Sequence, residues 1–170
     1  MYLDSFAFID AELRYVEALS AIREACKTEG CDSTPMEQCF DRVIQYILLR
    51  TGNTHGPLEH VEIGFIYRLC GKDVFLREDD MKRDTLDVSG TVEERAGAYK
   101  KDFDEMFTLL FSADEKNDDG YLPERVFLAI QDIMTYFLRE SGRQTEEGTS
   151  KPAEILKEIY DRFLYLSDNS

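Results

Sequence analysis

Apolar and polar residues recur along this chain with the period of an α-helix, and no comparable stretch keeps the two-residue alternation of a half-buried strand. Phe6, Ile9, Leu13, Val16, Leu19 and Ile22 are spaced by threes and fours, which predicts a helix over Ser5–Lys27 with that stripe as its buried face. Gly30 ends it. In "TPME", Thr34 offers a capping hydroxyl, Pro35 suits a first turn and Glu37 can return the capping bond, so a second helix is expected from Thr34 to about Arg50. A third is expected from Pro57 to Gly71, with Val61, Phe65, Ile66 and Leu69 turned inward.

The second half reads the same way. A short charged helical piece is expected over 76–86. Thr91 and Glu94 form a capping box that opens a long helix carrying Tyr99, Phe103, Met106, Phe107, Leu110 and Phe111, with Gly97 as a mild interruption. Pro123 opens another helix, with Val126, Phe127, Ile130, Ile133, Met134 and Phe137 on one face and an end at Gly142. "GRQTEEGTS", residues 142–150, has no periodicity and is expected as a flexible exposed loop, after which Pro152 starts a last helix with Ile155, Leu156, Ile159, Phe163 and Leu164. The fold class is therefore all-α: a single-domain bundle of about six or seven helices spanning residues 1–170, whose 43% hydrophobic content supports one good-sized core.

Charge narrows the function. A net charge of −15 argues against nucleic acid, because phosphate contacts need clustered Lys and Arg. Sixteen acidic residues stand against seven basic ones between Asp73 and Glu124, and the run Glu78, Asp79 and Asp80 is the candidate partner-binding patch. Asp4, Asp10 and Glu12 occupy the positions where a signal peptide would be basic and then apolar, and no apolar run reaches the ~18 residues of a membrane span, so a cytoplasmic protein with no membrane partner is expected. Cys26, Cys31, Cys39 and Cys70 contain no C-x-x-C pair and are expected as reduced thiols without zinc. Neither G-x-x-x-x-G-K-[ST], G-x-S-x-G nor H-E-x-x-H occurs, so no catalytic residue and no cofactor is assigned. His55 and His60 lie near Glu59 and Glu62, which a helix N-terminus favouring acids explains without chemistry.

Two glycine-centred loops invite comparison with an EF-hand, which needs oxygen ligands at positions 1, 3 and 5, glycine at 6 and a bidentate Glu at 12. In "FTLLFSADEKNDDGYLPERVF", Gly120 at position 6 puts Glu115, Asn117 and Asp119 at the first three, but position 12 becomes Val126, which has no oxygen, and Glu124 stands two residues too early. In "TGNTHGPLEHVE", Gly56 at position 6 puts Glu62 at 12, but Thr51 and His55 fall at 1 and 5. No metal is expected; Glu115, Asn117, Asp119, Glu124 and Glu62 are the residues that would hold one. Instead, Gly120 is expected in a tight turn, with Asp119 or a neighbour capping the helix that begins near Pro123.

The pattern Gly56-x-Leu58-x-x-x-Glu62-x-x-Phe65-Ile66 followed by "YRLCG" resembles the helix-turn-helix signature of TerB-like (tellurite-resistance) domains. The likeness extends over about Phe40 to Leu166 and is to the elongated type associated with some bacterial AAA-type ATPases. That family's motif begins Asp-Gly, where this chain has His55, and Glu62 alone matches its acidic end. The resemblance implies an all-helical metal- or protein-binding module, here a bacterial stress-response or ATPase-associated accessory protein. Three functional expectations follow: a non-enzymatic interaction module that docks another protein, a basic one in particular; an EF-hand-like calcium-binding protein; and an acidic immunity or antitoxin-type protein that blocks a basic toxin.

Overall fold

Helix α1 runs Phe6–Glu29 and stops where Gly30 takes a left-handed φ of +71°. The Gly30 amide donates to the Lys27 carbonyl (3.3 Å) and the Cys31 amide to the Cys26 carbonyl (2.9 Å), the paired closing bonds that satisfy carbonyls a helix end otherwise leaves open. The computed structural model describes residues 6–53, 58–70, 91–116, 121–140 and 146–169. Five further helices follow: α2 (Thr34–Asn53), α3 (His60–Cys70), α4 (Thr91–Lys116), α5 (Leu122–Glu140) and α6 (Glu146–Asp168). All described secondary structure is helical, as the periodicity predicts. The expected helical piece at 76–86 and the glycines at 56 and 120 lie outside the described residues.

The helix starts refine the sequence reading. The cap of α2 is Ser33, whose carbonyl takes the Glu37 amide (2.9 Å) and whose hydroxyl donates to Glu37 (2.7 Å); Thr34 is already helical and is held by Asp32. Asp114, at the end of α4, accepts the Leu122 amide (3.1 Å), so α5 is capped from the preceding helix, and Tyr121 takes the left-handed φ of +49° beside it. The last helix begins at Glu146, six residues before Pro152, so residues 146–150 of the expected loop are helical. Pro152 inside the helix forfeits one backbone bond, because its nitrogen carries no hydrogen to donate.

One core joins the elements. α1 packs chiefly on α5 and also on α4, α2 packs on α4, and α3 and α6 close the sides. Phe65 of α3 sets its ring edge-on to Phe8 of α1 (5.4 Å) and to Phe137 of α5 (5.3 Å). Phe163 of α6 stacks on Phe127 (4.7 Å) and meets Phe107 and Phe111 of α4 (5.4 Å each). Gly52 permits a close approach near the end of α2: a Cβ there would collide with Leu58 and stand 3.2 Å from a Glu62 oxygen and 3.4 Å from the Phe137 ring.

The expected inner face of α1 is corrected. Phe6, Ile9, Leu13 and Val16 are 86, 42, 56 and 55% exposed, whereas Ala7, Phe8, Ala11, Ala18, Ala21, Ile22, Ala25 and Cys26 are buried. Two physical causes combine. Three residues fall about 60° short of a full turn, so the successive threes from Val16 through Leu19 to Ile22 wind the stripe from the outer face to the inner one. The five alanines make a flat surface that lets α1 lie close against its neighbours, which the bulkier stripe would hold away.

Candidate interaction surface

The outer face of α1 presents Phe6, Ile9, Leu13 and Val16 side by side over three turns, and no described residue covers them. Single exposed apolar residues are ordinary, but a contiguous row marks a surface that something else covers. Fully burying one such side chain is worth about 1.5–3 kcal/mol. Acidic groups border the row: exposed Glu12 on one side, and half-buried Asp10 with exposed Glu17 on the other. The cations close by are committed within the chain. Arg14 pairs with Glu17 (3.0 Å) and Asp132 (3.2 Å), and Arg23 pairs with Glu37 (2.7 Å).

The same internal use of cations recurs between helices. Arg42 holds both oxygens of Asp102 (2.9 and 3.0 Å), Arg162 grips Asp104, Lys116 reaches Glu29 (2.9 Å) and Arg125 reaches Glu24 (3.1 Å). Much of the positive charge thus fastens α1, α2, α5 and α6 to their neighbours, and the surface is left with the acidic excess.

Three other places have polar side chains grouped closely enough to consider. A cleft of about 550 Å³ between α4 and α6 is lined by Tyr99, Phe103, Asp104, Glu158, Arg162 and Tyr165. Two of its carboxylates are already engaged: Glu158 accepts from Arg50 (3.0 Å) and from the Tyr99 hydroxyl (3.0 Å), and Asp104 accepts from Arg162. Burial alone pushes the Glu158 carboxyl up, but the bonds and charge of Arg50, the Tyr99 hydroxyl and Lys100 outweigh it and hold the carboxyl below its ordinary value. Burial and the Glu158 charge push the Tyr99 hydroxyl up. These groups form a structural brace between α2, α4 and α6.

Cys39, Asp102 and Glu105 form the second group, with donor atoms within 4.8 Å of one another. The Arg42 fork occupies Asp102 and also reaches the Cys39 sulfur (3.4 Å), and burial pushes that thiol up to about 11, so it keeps its proton. A metal there would have to displace a bidentate guanidinium, and the set fits an ion pair better.

The third is Glu62, the glutamate six residues after Gly56. It is buried, and its Oε1 accepts the Glu59 amide (2.9 Å), while the Glu59 carbonyl takes the Ile63 amide (3.0 Å). Glu62 is thus the returning half of a capping box at the start of α3. His60 is exposed at the first residue of that helix.

Of the remaining sequence candidates, three lie among the described residues. Glu115 is exposed at the end of α4, Glu124 is exposed in the first turn of α5, and Val126, at the twelfth EF-hand position, is fully buried in the core. Asn117, Asp119, Glu78, Asp79, Asp80 and His55 lie outside the described residues. The row on α1 escaped the sequence reading because its apolar periodicity pointed inward; the signal that would have found it is the second, alanine-rich stripe on the opposite face of the same helix.

No described helix is long and apolar enough to cross a membrane. No protein-family model, no curated protein and no solved structure matches this chain.

Proposed function

We propose that this chain is a non-enzymatic helical interaction module that docks another protein on the outer face of α1. The observation that carries the reading is the contiguous exposed row of Phe6, Ile9, Leu13 and Val16 on a helix whose opposite face is fully engaged in the core. The acidic border of Asp10 and Glu12 selects a partner whose apolar anchor is flanked by Lys or Arg, and disfavours a second copy of this chain, which would bring the same acids together. Apolar anchors supply the affinity, while the acidic surface, with Glu78, Asp79 and Asp80 as its proposed steering patch, speeds encounter. An accessory protein beside an AAA-type ATPase, as the TerB-like resemblance implies, and an immunity-type protein that blocks a basic toxin are two settings for the same mode of action.

The test is affinity capture with the wild-type chain and with the double variant Leu13→Glu/Val16→Glu, followed by rate measurements on the purified pair. The partner is expected to be lost from the variant. Its association should also slow as salt shortens the Debye length from about 30 Å at 0.01 M to about 8 Å at 0.15 M, and several-fold on reversing the charge of Glu78, Asp79 and Asp80 together. A partner retained equally by the double variant refutes docking on α1.

A further inference from the structure

Cys26 and Cys31 are separated by four residues, a spacing that on a continuous helix would point their side chains well apart. The chain leaves the helix between them. With Gly30 left-handed, residue 31 folds back over the last turn, and the Cys31 amide bonds directly to the carbonyl of Cys26 at 2.9 Å. In this closing turn the residue after the glycine characteristically packs its side chain on the residue five positions earlier, and here both are cysteine. The Cys31 thiol is near enough to Cys26 to help raise that thiol above its ordinary value, after burial. Cys26 is 1% exposed, whereas Cys31 is open to solvent. The other two thiols stand elsewhere: Cys39 faces Arg42, Asp102 and Glu105, and Cys70 is buried near Asp41.

The geometry points to Cys26 and Cys31 as a reversible disulfide-forming modification site at the junction of α1 and α2, independent of the docking surface. The oxidant is a low-molecular-weight disulfide such as oxidised glutathione. The accessible Cys31, as thiolate, attacks one sulfur of that disulfide, forming a mixed disulfide and releasing one small thiol. Cys26 then attacks the Cys31 sulfur as it gives up its proton, a new Cys26–Cys31 bond forms and the second small thiol leaves. The protein loses two electrons and two protons, and the small disulfide is reduced to two thiols. Burial pushes the Cys26 thiol up to about 12, so it stays protonated until the mixed disulfide is beside it. That order makes Cys31 the attacking residue and Cys26 the resolving one. The product would tie the end of α1 to the turn that leads into α2.

The full chain, equilibrated with oxidised and reduced glutathione at graded ratios and then denatured, should fall from four titratable thiols to two. Trypsin should then yield the fragment Glu24–Lys27 disulfide-linked to Thr28–Arg42. The second fragment also contains Cys39, so two variants assign the bond: Cys31→Ser, at an exposed position that folding does not depend on, should abolish the link, and Cys39→Ser should keep it. Four thiols at every ratio, a glutathione adduct that persists on Cys31, or a link that survives Cys31→Ser would each overturn the assignment.

Discussion

Helices α1 and α5 lie against each other, and both carry a regular apolar stripe, yet they use it in opposite ways. In α5, Val126, Phe127, Ile130, Ile133, Met134 and Phe137 are all buried, and charged residues such as Glu124, Arg125 and Arg139 occupy the far side. In α1, Phe6, Ile9, Leu13 and Val16 face outward, while Phe8 and a row of alanines face in. The difference teaches that helical period locates a stripe without deciding which stripe a neighbour covers. Where a helix has two, the one that allows closer backbone approach enters the core, and the other is left for a contact outside the chain.

The strongest way to break the contrast is on the α5 side. Phe137 is 1% exposed and wedged against Phe65, so Phe137→Ala should cost about 3–5 kcal/mol in chemical denaturation through lost transfer energy and a cavity. A loss below about 1 kcal/mol would show that the α5 face is not tightly packed. Next comes the alanine face of α1. Ala18 is fully buried, and Ala18→Leu should cost about 1–3 kcal/mol by overpacking, although leucine is a good helix former. A neutral or stabilising result would mean that α1 does not lie close on its neighbours.

Much of this architecture was legible in the sequence. The order of the helices, the inner face of α5 and the aromatic row of α4 follow from periodicity and punctuation, because those segments have one apolar stripe each. What escaped has local physical causes. Asp32, Ser33 and Thr34 are all good caps, and the choice among them depends on the path of the incoming chain, so the cap of α2 falls on Ser33, one residue before the expected Thr34, while the helix itself starts at Thr34 as expected. The Asp114 cap on Leu122 reaches across eight residues, and the Arg50, Tyr99 and Glu158 brace joins residues 49 to 108 apart, distances over which no sequence period speaks. Pro152 suggested a helix start because proline favours a first turn, yet six preceding residues are already helical. Glu62 read as a ligand candidate because a capping glutamate and a coordinating one look alike until their partners are known.

A smaller effect sharpens the contrast between the paired acids and those bordering α1. The Glu158 carboxyl is held below its ordinary value in the folded chain, so its contribution is present above the unfolded value near 4.5 and is lost as pH falls through the folded one. Its side chain is 38% exposed, and the contribution at neutral pH is therefore under about 1 kcal/mol. Glu158→Gln should be slightly less stable than wild type at neutral pH, and the gap should close in acid, which makes the decline from about pH 5 to about pH 3 shallower in the variant. Parallel declines would show that Glu158 is not linked to folding.

The smallest expected change in stability bears on the central claim, that α1 keeps its Phe6-to-Val16 face outside the core. The measurement is the unfolding free energy of Leu13→Glu/Val16→Glu by chemical denaturation. A surface face predicts a value within about 0.5 kcal/mol of wild type for each substitution. A loss of several kcal/mol, the signature of burying unpaired charge, would place the stripe in the core and contradict the account.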